Sequence, residues 1–91
     1  MNLPKMTHLQ YAVVKQLLDG WIDTDELIRR IRWKKSRPGL YQLMGRIRAA
    51  GYIDIESRKF EASDQTYYVN FYQASCNGVH QVNMLRKFYG E

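Results

Sequence analysis

The chain has 91 residues, enough for one small core and too few for two, so a single domain over residues 1–91 is expected. A hydrophobic fraction of 45% excludes a disordered tail, and the single cysteine, Cys76, excludes an intrachain disulfide. No run reaches the roughly 18 apolar residues of a membrane span, and Met1 to Gln10 lack the apolar stretch and small-residue cleavage site of a signal peptide, so a reducing cytoplasm is the expected compartment.

Net charge is +5, and its placement says more than its sum. Between Leu27 and Ile53 stand Arg29, Arg30, Arg32, Lys34, Lys35, Arg37, Arg46 and Arg48, more than half of the chain's 14 basic residues, with no Asp or Glu among them. A solvated surface normally intersperses the two signs, so this segregation points to an anionic partner.

The first helix is expected over residues 7–19. Thr7 is a cap, Gln10 the return half of a capping box, and Met6 against Tyr11 a hydrophobic staple. Leu9, Val13, Val14, Leu17 and Leu18 form its apolar stripe, and Asp19-Gly20 ends it. Trp21 and Ile22 then form a brief apolar link suited to pairing with a later hairpin. A second helix starts at Asp23 as cap, with Glu26 at the third position, Ile22 stapled to Leu27, and Leu27, Ile28 and Ile31 facing the core. It fades near Trp33 into the basic turn Lys34, Lys35, Ser36, Arg37. Two short helices around a tight turn make a helix-turn-helix candidate.

The third helix opens on Ser36 and Pro38 and stops at Gly51. Leu40, Leu43, Met44, Ile47 and Ala50 recur at the spacing of one buried face, and the opposite face holds Tyr41, Gln42, Gly45, Arg46, Arg48 and Ala49, without a carboxylate. After Gly51 the period changes to two. Tyr52 to Glu56 reads as a strand, the polar segment Ser57 to Gln65 as a long loop with Arg58 and Lys59 near its tip, and Thr66 to Tyr72 as the return strand. Tyr67, Val69 and Phe71 share one face of it, Tyr68, Asn70 and Tyr72 the other. A final helix runs from Ser75 as cap to Tyr89, with Val79, Val82, Leu85 and Phe88 or Tyr89 at helical spacing.

Enzyme chemistry is not assembled anywhere in this pattern, and no cofactor is implied. The strong metal-ligand types are His8, His80 and Cys76, and their spacing predicts no zinc or catalytic pair. Gly39, Gly45 and Gly51 fall in and around a helix and not between a strand and a helix, as a phosphate loop requires.

Helix, glycine, strand, hairpin and closing helix together describe an α+β winged helix-turn-helix, with three helices, a β-hairpin wing and a C-terminal helix. The residues narrow this further. Pro38-Gly39-Leu40-Tyr41, then Met44, Ile47, Gly51, Tyr52 and Ile53, resemble the recognition-helix signature of PadR-like transcriptional regulators. The tyrosine-rich strand from Tyr68 leading to Ser75 and Gly78 resembles the family's approach to its Thr-x-x-Gly helix start. One residue fewer separates Gly39 from Leu40 than is usual in the family, and Thr24-Asp25 stands where a Gly-Tyr commonly precedes the second helix.

The resemblance implies binding of double-stranded DNA through the face that holds Tyr41, Gln42 and Arg46. Gln42 and Arg46 are expected at base edges, since Gln takes adenine and Arg guanine in bidentate fashion. Lys34, Lys35, Ser36, Arg37, Tyr41, Arg58 and Lys59 are expected at the backbone. Homodimerisation is expected through the final helix, with a stripe around Val82, Leu85 and Tyr89 open for symmetric pairing. Blander roles stand beside these: a solvated face for the basic run, ordinary surface positions for Gln42 and Arg46, partial core burial for Trp33 and Tyr41, protection of an exposed sheet edge for Arg58 and Lys59, and packing of the terminal apolar stripe on its own domain. Two other functions compete: a winged-helix protein-interaction module within a larger assembly, and single-strand or RNA binding on a platform of Tyr67, Tyr68 and Phe71.

Overall fold

Each helix begins on the residue whose side chain can accept from its first free N–H groups. The computed structural model describes residues 6–90. Thr7, Asp23, Ser36 and Ser75 cap α1 (His8–Lys15), α2 (Thr24–Ile31), α3 (Arg37–Ala49) and α4 (Cys76–Tyr89). At α1 the capping box closes in both directions: Gln10 N–H donates to Thr7 Oγ1 (3.1 Å) and Thr7 N–H to Gln10 Oε1 (3.0 Å). At α2 only half of the expected box forms. Asp23 Oδ1 accepts from Glu26 N–H (2.8 Å), but the Glu26 carboxylate turns to Arg29 and Arg30 instead of back to the cap.

Between the helices lie β1 (Ile22–Asp23), β2 (Ile53–Ala62) and β3 (Gln65–Ala74), which form an antiparallel sheet in the order β1-β3-β2. The architecture of the described residues is therefore α+β, with four helices and a three-stranded sheet. The short link at Ile22 pairs with Tyr72, as its apolar character suggested.

Two lengths differ from the sequence expectation. Helix α1 stops at Lys15 and not at Asp19, because Gln16 and Leu17 N–H tighten onto the carbonyls of Val13 and Val14. The Leu17 carbonyl then accepts from Ala74 N–H (3.0 Å), tying the end of α1 to the end of β3. The expected long loop from Ser57 to Gln65 is also absent. Those residues continue the two strands to a two-residue turn at Ser63-Asp64, with Ser63 alone at positive φ (54°), the pattern of a primed hairpin turn. The hairpin projects beyond the helices and makes the molecule 55 Å long by 26 Å and 21 Å across. From Ser57 outward most strand residues are exposed, so no buried face imposes the apolar alternation by which a strand is read from sequence.

All four helices and the base of the sheet meet in one core. Val14, Leu17, Leu27, Leu40, Met44, Ile47, Tyr72 and Val82 are its most deeply buried residues, with Tyr11, Ile53 and Leu85 around them. Four positions fall elsewhere than expected. Leu9 is 54% exposed, Ala50 is exposed beyond the last turn of α3, and Val82 and Leu85 are core and not an open stripe. The self-association surface expected on Val82 and Leu85 is thus occupied by the protein's own interior, while Tyr89 packs against the Tyr11 and His8 rings.

Helix α3 ends in a Schellman motif. Gly51 takes φ +86°, its N–H donates to Arg48 O (2.8 Å), and Tyr52 N–H reaches Ile47 O (3.2 Å). The next contact sets the position of α4. The Tyr52 carbonyl accepts from Ser75 N–H (3.0 Å) and lies only 1.9 Å from where a Cβ on Gly78 would stand. Gly45, by contrast, has open space at that position. Alanine at the two glycines should therefore act in opposite directions. Gly78→Ala is expected to destabilise by about 2 kcal/mol or more, since backbone must move, and Gly45→Ala to stabilise by roughly 0.5–1 kcal/mol through helix propensity. Urea unfolding of the two variants checks both signs.

Candidate nucleic-acid interface

The exposed side of α3 follows from its core side. With Leu40, Met44 and Ile47 fixed inward, Tyr41, Gln42, Gly45, Arg46, Arg48 and Ala49 are left facing solvent. Gln42 and Arg46 stand one turn apart on that face, and Gly45 between them leaves the helix backbone uncovered. Arg46 and Arg48 make no ion pair among the described residues.

The turn before α3 is held by side chains as well as by the backbone. Arg32 ends α2 in the left-handed region (φ 55°), and Trp33 N–H donates to Ile28 O (3.1 Å). The Trp33 indole N–H donates to Ser36 O (2.9 Å), while Ser36 Oγ accepts from Gly39 N–H (3.3 Å). Pro38 sits in the first turn of α3, where a missing N–H costs nothing. Trp33 is half-buried against the core, so this ring acts as a strap on the turn. Lys34 and Lys35 project from the strapped turn, exposed and without a carboxylate partner among the described residues. Ser36 is engaged as the cap.

The run of cations is less segregated in space than in sequence. Glu26 accepts from Arg29 and from Arg30 (Nε, 3.0 Å), Asp19 accepts from Arg30 (2.9 Å), and Arg30 also donates to Gln16 O (2.8 Å). Arg37 Nη2 pairs with Asp25 Oδ1 at 2.8 Å. Three of the eight basic residues are thus matched by acids that precede the run in the chain. Those unmatched among the described residues, Arg32, Lys34, Lys35, Arg46 and Arg48, all belong to the α2–α3 turn and to α3.

The hairpin divides the remaining expected residues between its two faces. Arg58 is not at the tip: it pairs in register with Val69, roughly 17 Å short of the turn at the ordinary strand rise. Its guanidinium lies 4.1 Å from the Phe71 ring centroid and 5.6 Å from that of Trp21, and Nε donates to Glu56 (3.2 Å). Phe60 and Tyr67 stack beside it (5.6 Å), so this face of the sheet is an aromatic strip capped by a cation. Lys59 is also in mid-strand, but on the opposite, helix-facing side, opposite Tyr68, with Glu61 3.3 Å away. The tip itself carries Asp64 and no basic residue. Tyr67 and Tyr68 point to opposite faces, so the three-ring platform of Tyr67, Tyr68 and Phe71 does not form as one surface.

One grouping was not legible in the sequence. Arg37 and Tyr41 of α3, Asp25 of α2, and Tyr68 and Asn70 of β3 line a polar cleft of about 230 Å³ between the helices and the hairpin. Register brings Tyr68 there, and register depended on the length of a hairpin whose outer half has no apolar alternation. Cys76 and His80 lie one turn apart on the exposed side of α4, and among the described residues no group of three or more His, Cys, Asp or Glu is placed to hold a metal ion. Among the same residues no helix is long and apolar enough to cross a membrane.

No family model matches the chain, and no characterised protein or solved structure does so either.

The Glu26 network has a definite pH signature. Hydrogen bonds from Arg29 and then Arg30 lower the Glu26 pKa from 4.5 to about 2. A folded-state value below the unfolded one contributes stability above the ordinary glutamate range, which is lost as pH falls towards 2. Glu26→Gln should therefore melt slightly below the wild type at pH 7, with the gap closing as the pH is lowered from 4.5 towards 2. Paired thermal melts across that range check the sign.

Proposed function

We propose that the protein binds double-stranded DNA in a sequence-specific manner, as a winged helix-turn-helix domain of the PadR-like transcriptional regulators that its α3 signature resembles. One observation carries the reading: α3 presents Gln42 and Arg46 one turn apart on an exposed, acid-free face, directly after a turn strapped by Trp33 whose Lys34 and Lys35 have no carboxylate partner among the described residues. In this reading α3 lies in a major groove, Gln42 and Arg46 read base edges, and Lys34, Lys35, Arg37 and Tyr41 meet phosphates. Lys59, on the helix-facing side of the hairpin, reaches the flanking backbone. Arg58 takes no part, since it is turned to the other face and committed to Phe71 and Glu56. The hairpin tip, with Asp64 and nearby Glu61, is repelled by phosphate, so contact belongs nearer its base.

A second reading has its own support. Trp21, Phe60 and Tyr67, exposed around the half-buried Phe71, form an aromatic strip of the kind that binds protein, on the sheet face away from the core. The two readings differ in salt dependence, because only neutralised phosphates release counterions.

Arg46→Ala should weaken binding to a selected duplex by roughly 1–3 kcal/mol and change random-duplex binding much less. Lys35→Ala should weaken both duplexes alike and flatten the salt slope by about one phosphate contact. Fluorescence anisotropy at several salt concentrations measures all four quantities. Identical behaviour of the two variants on both duplexes would remove α3 from the groove.

A further inference from the structure

Of the three cations on α3, Arg37 alone has a carboxylate partner among the described residues. Its partner, Asp25, comes from the first turn of α2, across the cleft that also holds Tyr41 and Tyr68. Both members of the pair are largely in solvent, with side-chain exposures of 56% for Arg37 and 82% for Asp25. An exposed pair of this kind contributes little to folding. Asp25 is not the helix cap either; that role belongs to Asp23, whose Oδ1 accepts from Glu26 N–H. The ion pair is therefore not needed to build the fold, yet it occupies the guanidinium at the start of the face that the DNA-binding reading assigns to the groove.

We infer that Asp25 is a built-in competitor for the DNA backbone: its carboxylate holds Arg37, and a phosphodiester must displace it to gain that contact. The inference rests on the DNA-binding reading above and adds the residue that sets its affinity. Tyr41, one turn beyond Arg37, and Tyr68, from β3, flank the pair with exposed rings whose hydroxyl groups can donate to a phosphate oxygen once Arg37 is released. The competition acts on a backbone contact, so it lowers affinity for every duplex equally and leaves base discrimination to Gln42 and Arg46.

The test is a double-mutant cycle on the full chain, read by anisotropy with a random duplex and a selected duplex. Asp25→Asn should tighten both about two- to fivefold, the scale of an exposed ion pair, and steepen the salt slope by about one contact. In an Arg37→Ala background the same change should have little effect, since the group it releases is gone. Thermal melts of Asp25→Asn and of a second variant, Asp25→Ser, establish that each is folded before it is compared. An unchanged or weaker affinity in folded Asp25→Asn overturns the competition, as does an equal gain with and without Arg37, which would make Asp25 a diffuse repulsive charge. If the wild type shows no salt-dependent retention of either duplex and Lys35→Ala changes nothing, the DNA-binding reading itself fails and this inference falls with it. If Lys35→Ala weakens binding and Asp25→Asn does not tighten it, only the inference falls.

Discussion

The carbonyl of Tyr52 is the point through which α3, the hairpin and α4 are fixed to one another. It leaves the Schellman turn that ends α3, accepts from Ser75 N–H, and meets the backbone of Gly78 so closely that no Cβ fits. Ser75 joins the same knot from the other side, since its hydroxyl donates to Gly51 O (2.6 Å) and accepts from Gly78 N–H (3.0 Å). The exit of α3, the start of β2, the end of β3 and the start of α4 thereby share one small cluster of backbone groups. Because Leu40, Met44 and Ile47 pack into the core from this anchored helix, the rotation of α3 is set, and with it the residues left outside.

The outward face that results is electrostatically simpler than the rest of the surface. Acids that precede the basic run fold back onto it: Asp19 and Glu26 onto Arg29 and Arg30, and Asp25 onto Arg37. The Arg30 contacts also brace the end of α1 against α2, through the Gln16 carbonyl and Asp19. Arg29, Arg30 and, at the start of α3, Arg37 are thus matched, whereas among the described residues Lys34 and Lys35 on the turn and Arg46 and Arg48 further along α3 are not. That division, more than net charge, is what favours an anionic partner for this face.

What could be read in advance depended on how local the signal was. The four caps and the α3 core face were legible because capping and helical periodicity are written within a few residues, as at Thr7-Gln10 and Leu40-Met44-Ile47. Three features were not. The outer half of β2, from Ser57 to Ala62, is largely exposed on both faces, so it carries no alternation and reads as loop, whereas Thr66 to Tyr72 of β3 was legible from its aromatic and branched residues. The pairing of Arg37 with Asp25 spans 12 positions and needs the angle between two helices. The burial of Val82 and Leu85 could not be told from exposure by spacing alone, since an apolar stripe looks the same whether it meets its own domain or a partner.

Nuclear magnetic resonance titration with a short duplex tests, residue by residue, whether α3 and the turn before it form the partner surface. The largest shifts are expected at the amides of Lys34 to Arg37, at the Gln42 side-chain amide and at the Arg46 Nε–H, while the Trp21 indole N–H and the amides of Phe60 and Tyr67 stay in place. Shifts concentrated on Trp21, Phe60 and Tyr67 with α3 silent would contradict that expectation, and would move the working surface to the aromatic face of the sheet.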